Sequence, residues 1–188
     1  MSFEEAVSRT YAQNSNVCGQ GWWTAPKTKW DWDKGQGEAF FAYVFGANGA
    51  VVEVDLDTGK TEVIKYVAVH DVGKAMNMEE VKGQIIGGVT MGIGYCTMEE
   101  LHMKDGSIKN DNYDNYIIPT AMDIQEIIPV VLEEYSDVGP LGAKGVGEAV
   151  TSIVAPSITN AISHAIGHRI YDLPANLERV LALVKETD

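Results

Sequence analysis

The stretch Asn48-Gly49-Ala50-Val51-Val52-Glu53-Val54-Asp55-Leu56-Asp57-Thr58-Gly59-Lys60-Thr61-Glu62-Val63-Ile64-Lys65-Tyr66-Val67-Ala68-Val69-His70 decides the fold class. Val52, Val54 and Leu56 alternate with Glu53, Asp55 and Asp57, the period of two that gives a strand one buried and one wet face. Asp57-Thr58-Gly59-Lys60 turns the chain, and the run from Thr61 to His70 is apolar enough throughout to be a more central strand. Upstream, Ala39–Phe45 has strand composition and Asn48-Gly49 has the chemistry of a hairpin turn. The local pattern therefore predicts three strands in an antiparallel meander.

Downstream the period changes. Met78, Val81, Ile85, Val89, Ile93 and Cys96 recur at spacings of three and four, which predicts a helix. That helix carries Gly83, Gly87, Gly88, Gly92 and Gly94, each costing about 1 kcal/mol relative to alanine in a helix interior. Such a load requires close backbone approach, either to another element or to a ligand. Met98–Met103 and Ser107–Lys109 form a short hairpin across Lys104-Asp105-Gly106, and Ile127–Tyr135 reads as a further strand. Val154, Ile158, Ala161, Ile162 and Ala165 give a helix ending near Gly167. Pro174 opens a last helix with Leu177, Val180, Leu181 and Val184 inward. The class is α+β: an antiparallel sheet meander packed with glycine-rich and amphipathic helices.

Residues 1–37 form an irregular arm that holds all four tryptophans, Trp22, Trp23, Trp30 and Trp32. So much aromatic surface must pack on something, either the chain's own domain at 38–188 or another polypeptide. A net charge of −13 argues against nucleic acid as a partner, because phosphate binding needs concentrated Lys and Arg. With no apolar run long enough for a membrane span, the expectation is a soluble, cytoplasmic protein without a membrane partner. Cys18 and Cys96 stand far apart and form no C-x-x-C, so the chain has no dedicated iron–sulfur or zinc module and its thiols are expected reduced.

The sharpest candidate for chemistry is Gly139-Pro140-Leu141-Gly142-Ala143-Lys144-Gly145-Val146-Gly147-Glu148. It places a carboxylate after closely spaced glycines, just ahead of a predicted helix. On these residues alone the alternative is a glycine turn whose Glu148 merely favours a helix start. The glycines do not have the spacing of a dinucleotide fingerprint, and no phosphate loop is present, so a nucleotide-binding module has little support. His164 and His168 are four apart, but Gly167 intervenes at a helix end, and Asp111, Asp114 and Asp123 lack the order of a calcium loop.

Several motifs in order carry a resemblance: His70-Asp71-Val72-Gly73-Lys74-Ala75-Met76-Asn77, the glycine run Gly83–Tyr95, Pro119-Thr120-Ala121, Gly142–Glu148, Leu173-Pro174 and Glu178-Arg179-Val180. Together they resemble the xanthine dehydrogenase/aldehyde oxidase family, in the C-terminal part of its molybdopterin-binding region. The resemblance implies molybdopterin, as such or in a dinucleotide form, with molybdenum held through the pterin and not by protein side chains. It implies Glu148 as the catalytic base in a hydroxylation that takes its oxygen from water. It also implies cofactor contacts at Gly88, Thr90, Met91, Gly92, Lys144, Gly145, Val146 and Gly147. Met91 stands where many members have Gln, and a thioether offers packing in place of an amide hydrogen bond.

The remaining cofactor-binding segments and most of the substrate pocket are absent from this sequence. The resemblance therefore implies partners: the other half of the molybdopterin-binding region, iron–sulfur and flavin (FAD) units, and a small-molecule substrate. The expected substrate is an N-heteroaromatic ring of purine or nicotinate type, or an aldehyde. The rival reading is a non-catalytic scaffold that kept the fold without the cofactor.

Overall fold

In the computed structural model, which describes residues 1–16 and 18–186, the sequence forms five α-helices and three small sheets. The principal sheet contains β3 (Gly46–Val54), β4 (Thr61–Asp71) and β7 (Glu126–Leu132), in the order β3-β4-β7. β3 and β4 are antiparallel, joined by a turn in which the Asp55 side chain accepts from the Asp57 and Thr58 N–H groups. Gly59 in that turn has φ +76, and a Cβ there would stand 2.2 Å from the Leu177 carbonyl oxygen, so glycine alone fits.

β4 carries one extra residue opposite the Val51/Val52 step of β3. Such a bulge resets the alternation. As a result Val63, on one side of it, and Tyr66, Ala68 and His70, on the other, are all buried.

Two features correct the meander expected from the sequence. Asn48-Gly49 is not a turn: both residues lie within β3, opposite Ala68 and Val67, and the Asn48 amide donates to the Tyr66 hydroxyl at 2.7 Å. Residues 39–45 consequently form no strand. The third strand is instead β7, which runs parallel to β4 from Lys65↔Glu126 to Asp71↔Leu132. A parallel pair needs a long crossover, here residues 72–125. That segment contains α2 (Met78–Thr97) and the small hairpin of β5 (Met103–Lys104) with β6 (Ser107–Ile108).

Asn77 caps α2, accepting from the Glu79 and Glu80 N–H groups. α3 (Gly147–Thr151) leads almost directly into α4 (Val154–Ile166), which ends at Gly167 with φ +77. α2 and α4 pack on each other and on the sheet, α4 over β3 and α2 over β7 and β4. The core joins Val63, Tyr66 and Ala68 with Ile85, Val89, Ile93 and Cys96 of α2 and Val154, Ile158 and Ile162 of α4. α5 (Leu177–Lys185) begins after an Asn176 cap, three residues beyond Pro174; it buries Val180, while Leu177 is exposed, against the sequence expectation.

The arm is less irregular than its composition suggests. Ser2 and Glu5 form a reciprocal capping box that starts α1 (Phe3–Ala12), which buries none of its residues. β1 (Trp30–Asp31) and β2 (Gln36–Gly37) pair as a minimal hairpin. Trp23 meets Phe41, and Trp30 meets Trp32, but Trp22 and Trp32 remain more than four-fifths exposed. These two rings are left largely uncovered by the described residues.

Candidate functional site

The five glycines of α2 divide into two sets. Gly88, Gly92 and Gly94 pack against protein: a Cβ would stand 2.9 Å from Val150 Cβ at Gly88, 2.4 Å from Val154 Cβ at Gly92, and 2.1 Å from a Glu99 carboxylate oxygen at Gly94. These positions let α3, α4 and the Glu99–Pro119 region approach the helix backbone. Gly83 and Gly87 have nothing within 4 Å of a Cβ position. With Met91, which is 64% exposed, they recur at intervals of four along one open stripe.

That stripe is one wall of an open groove of about 500 Å³. It is lined by Gly83, Gln84, Gly87, Gly88, Met91, Gly147, Glu148 and Thr151. Glu148 enters from the first turn of α3 and is exposed. α3 is fixed to α2 by Val150 seated at Gly88 and by the Tyr95 hydroxyl, which donates to the Thr151 carbonyl at 2.8 Å. Gly147 lies opposite Gln84, whose side-chain oxygen is 3.8 Å from a Cβ built on that glycine.

The residues singled out by resemblance are therefore only partly brought together. Gly88, Met91, Gly147 and Glu148 share the groove, and Gly145 is exposed with open space around it. Val146 packs against the core. Thr90 turns its hydroxyl back to the Ile86 carbonyl at 2.9 Å, and Gly92 faces Val154. Lys144 is committed elsewhere: its ammonium pairs with Asp71, and its N–H donates to the Val72 carbonyl at 2.9 Å. Neither donor of Lys144 points into the groove. Gln84 was not foreseen as a site residue. Its signal was the helical spacing that puts it on the face of Gly87, Gly88 and Met91.

The loop leading to Glu148 is held at the end of β4. Asp71 accepts from the Gly73 N–H at 2.9 Å and the Glu134 N–H at 3.3 Å, besides its bond from Lys144. Burial pushes this carboxyl up, but the bonds from Lys144, Gly73 and Glu134 outweigh burial and hold it below the ordinary carboxylate range. On the opposite side of the strand His70 is 1% exposed, with neither ring nitrogen partnered. Burial lowers its pKa, disfavouring the charged ring. Both cysteines are free thiols; Cys18 is exposed, and burial pushes Cys96 up to about 12, an inert core residue.

Bare backbone at Gly83 and Gly87 leaves this groove the volume that side chains would fill, with room for a flat group against the main chain, and Gln84 and Glu148 supply the polar groups.

The family model described as molybdopterin cofactor-binding domain matches residues 1–125, which include α2 and end before Glu148. A probable xanthine dehydrogenase subunit of Bacillus subtilis is 35% identical over 144 residues, covering 77% of this chain and 19% of that protein. The crystal structure of an aldehyde oxidoreductase from Desulfovibrio desulfuricans superposes with a TM-score of 0.78 at 36% identity, over 94% of this chain and 19% of the other. Quinoline 2-oxidoreductase from Pseudomonas putida gives 0.70 at 32% identity, over 75% of this chain and 18% of the other. The chain thus spans about a fifth of the length of the relatives it matches. No described helix is long and apolar enough to cross a membrane. The chain belongs to the xanthine dehydrogenase/aldehyde oxidase family of molybdenum hydroxylases, within the molybdopterin cofactor-binding domain.

Proposed function

We propose that this chain forms one wall of the active site of a molybdenum hydroxylase and supplies its catalytic base, Glu148. The observation that carries the reading is the groove in which Glu148 and Gly147 of α3 stand over the bare backbone of Gly83 and Gly87. When bound, the molybdenum–pterin group supplies the redox chemistry and acidifies water. Gly83 and Gly87 would admit the cofactor's flat surface to the main chain, Met91 would pack beside it, and the Gln84 amide would offer the hydrogen bond that Met91 cannot. Glu148 takes a proton from the water that becomes the new hydroxyl oxygen, on a carboxylate already within the groove.

The rest of the site belongs to partners: the other half of the molybdopterin-binding region, and iron–sulfur and flavin units that carry electrons away. Support for such partners comes from surface that the chain leaves uncovered. Val51, Val130 and Leu132 of the sheet, and Trp22, Trp32 and Phe40 of the amino-terminal region, are all exposed. The proposed substrate is an N-heteroaromatic ring, in keeping with the quinoline and xanthine named for two of the relatives, or an aldehyde, as for the third.

The test is the molybdenum and pterin content of the native assembly that contains this chain. Equal molar amounts of metal, pterin and chain are expected. A stable assembly without either would overturn the reading and leave a scaffold that kept only the fold.

A further inference from the structure

We propose that Asp71 is a positioning residue that fixes the loop carrying Glu148. This role rests on the reading of Glu148 as the reacting carboxylate. Asp71 ends β4, and its carboxylate receives donors from three separate segments: Gly73 just beyond the strand, Glu134 just beyond β7, and the Lys144 ammonium from the glycine loop. Asp71 is buried, at 4% side-chain exposure, and Lys144 is largely covered, at 12%.

Around the pair the main chains interlock. Gly73 bridges Ala143, the Lys144 N–H donates to Val72, and the Gly142 carbonyl accepts from Lys74 at 2.7 Å and from Ser136 at 3.1 Å. The clamp also holds Leu141 at φ 52, a conformation that a leucine adopts only when its surroundings impose it. Lys144 is therefore anchored by both its backbone and its ammonium, four residues before Glu148. The next firm anchor is Val150, two residues after Glu148 and seated at Gly88. Between them Gly145 has open space around it, Val146 packs against the core and Gly147 opens α3, so the clamp sets where the chain enters the helical turn that carries Glu148. A buried ion pair contributes little net stability over an apolar pair of like volume. Its contribution here is register: one carboxylate that only one arrangement of three segments can satisfy.

Amide hydrogen exchange on the full chain tests this. In Lys144→Met, exchange at Lys74, Ser136 and position 144 is expected to accelerate about 10-fold or more beyond the shift that the lower global stability gives the Ile93 and Ile162 amides in α2 and α4. Lys144→Arg, which keeps the charge, should restore part of it. Should Lys144→Met fail to fold, the Asp71→Asn/Lys144→Met pair removes both charges and should show the same loop-confined loss. Native protection at those three amides in either variant overturns the proposal, as does a loss spread equally over α2 and α4. In the assembled enzyme Lys144→Met should lower kcat with KM and molybdenum content unchanged. Glu148→Gln should leave loop exchange untouched, so failure of the clamp and failure of the base assignment are separately visible.

Discussion

Gly92 of α2 lies against Val154 of α4 so closely that a Cβ on the glycine would stand 2.4 Å from the valine Cβ. Alanine at Gly87, five residues earlier and on another face of the helix, would touch nothing. The two substitutions therefore have opposite signs. Gly92→Ala should destabilise the chain by about 1–3 kcal/mol through overpacking. Gly87→Ala should stabilise it by up to about 1 kcal/mol through helix propensity. Urea unfolding of the isolated chain reads both. If the groove receives the cofactor, Gly87→Ala should also lower molybdenum occupancy of the assembly despite its stability. Full occupancy would place the pterin elsewhere.

Breaking the Asp71–Lys144 pair from one side leaves a buried, unpaired charge, and Lys144→Met should cost about 3–5 kcal/mol. The double variant Asp71→Asn/Lys144→Met should cost less than the sum of the single variants, as a double-mutant cycle would show. The sign of the pH effect follows from the depressed Asp71 carboxyl. Its stabilisation is complete above the unfolded-state value of about 3.9 and is lost as pH falls through the lower folded value.

His70 gives a second window. Burial lowers its pKa in the fold, whereas the unfolded chain binds a proton near the ordinary histidine value of about 6.5. The unfolded state is thus favoured as pH falls through about 6.5, and this contribution to stability is complete only above it. Unfolding midpoints measured about one pH unit either side of that value should differ in the native chain. The difference should shrink in His70→Phe. An identical pH response would mean that His70 keeps its proton in the fold.

Local physics was legible where local physics decides. The stripe from Met78 to Cys96 is α2, bounded by its Asn77 cap, and Gly167 ends α4 as its backbone freedom suggests. The Asp105-Gly106 turn, with both residues at positive φ, is equally readable. Strand direction was not, because the alternation in 126–132 is the same whether β7 runs with β4 or against it. Asn48-Gly49 misled because nine residues of β3 pair with β4, and the Asp55–Lys60 turn already closes that hairpin. At the site, the sequence isolated Glu148 and the α2 glycines but could not say which glycine faced a helix and which faced open space. The ion pair of Lys144 was not legible either, because its partner, Asp71, is 73 residues away.

The most direct test of the central claim is Glu148→Gln in the assembled enzyme, followed by one measurement: single-turnover reduction by substrate, normalised to molybdenum and pterin content. The change keeps the side chain's shape and removes its basicity. The account predicts unchanged cofactor content and a rate lower by about 100-fold or more, the scale of a positioned general base. A near-normal rate at full cofactor content would contradict it and remove Glu148 from the chemistry.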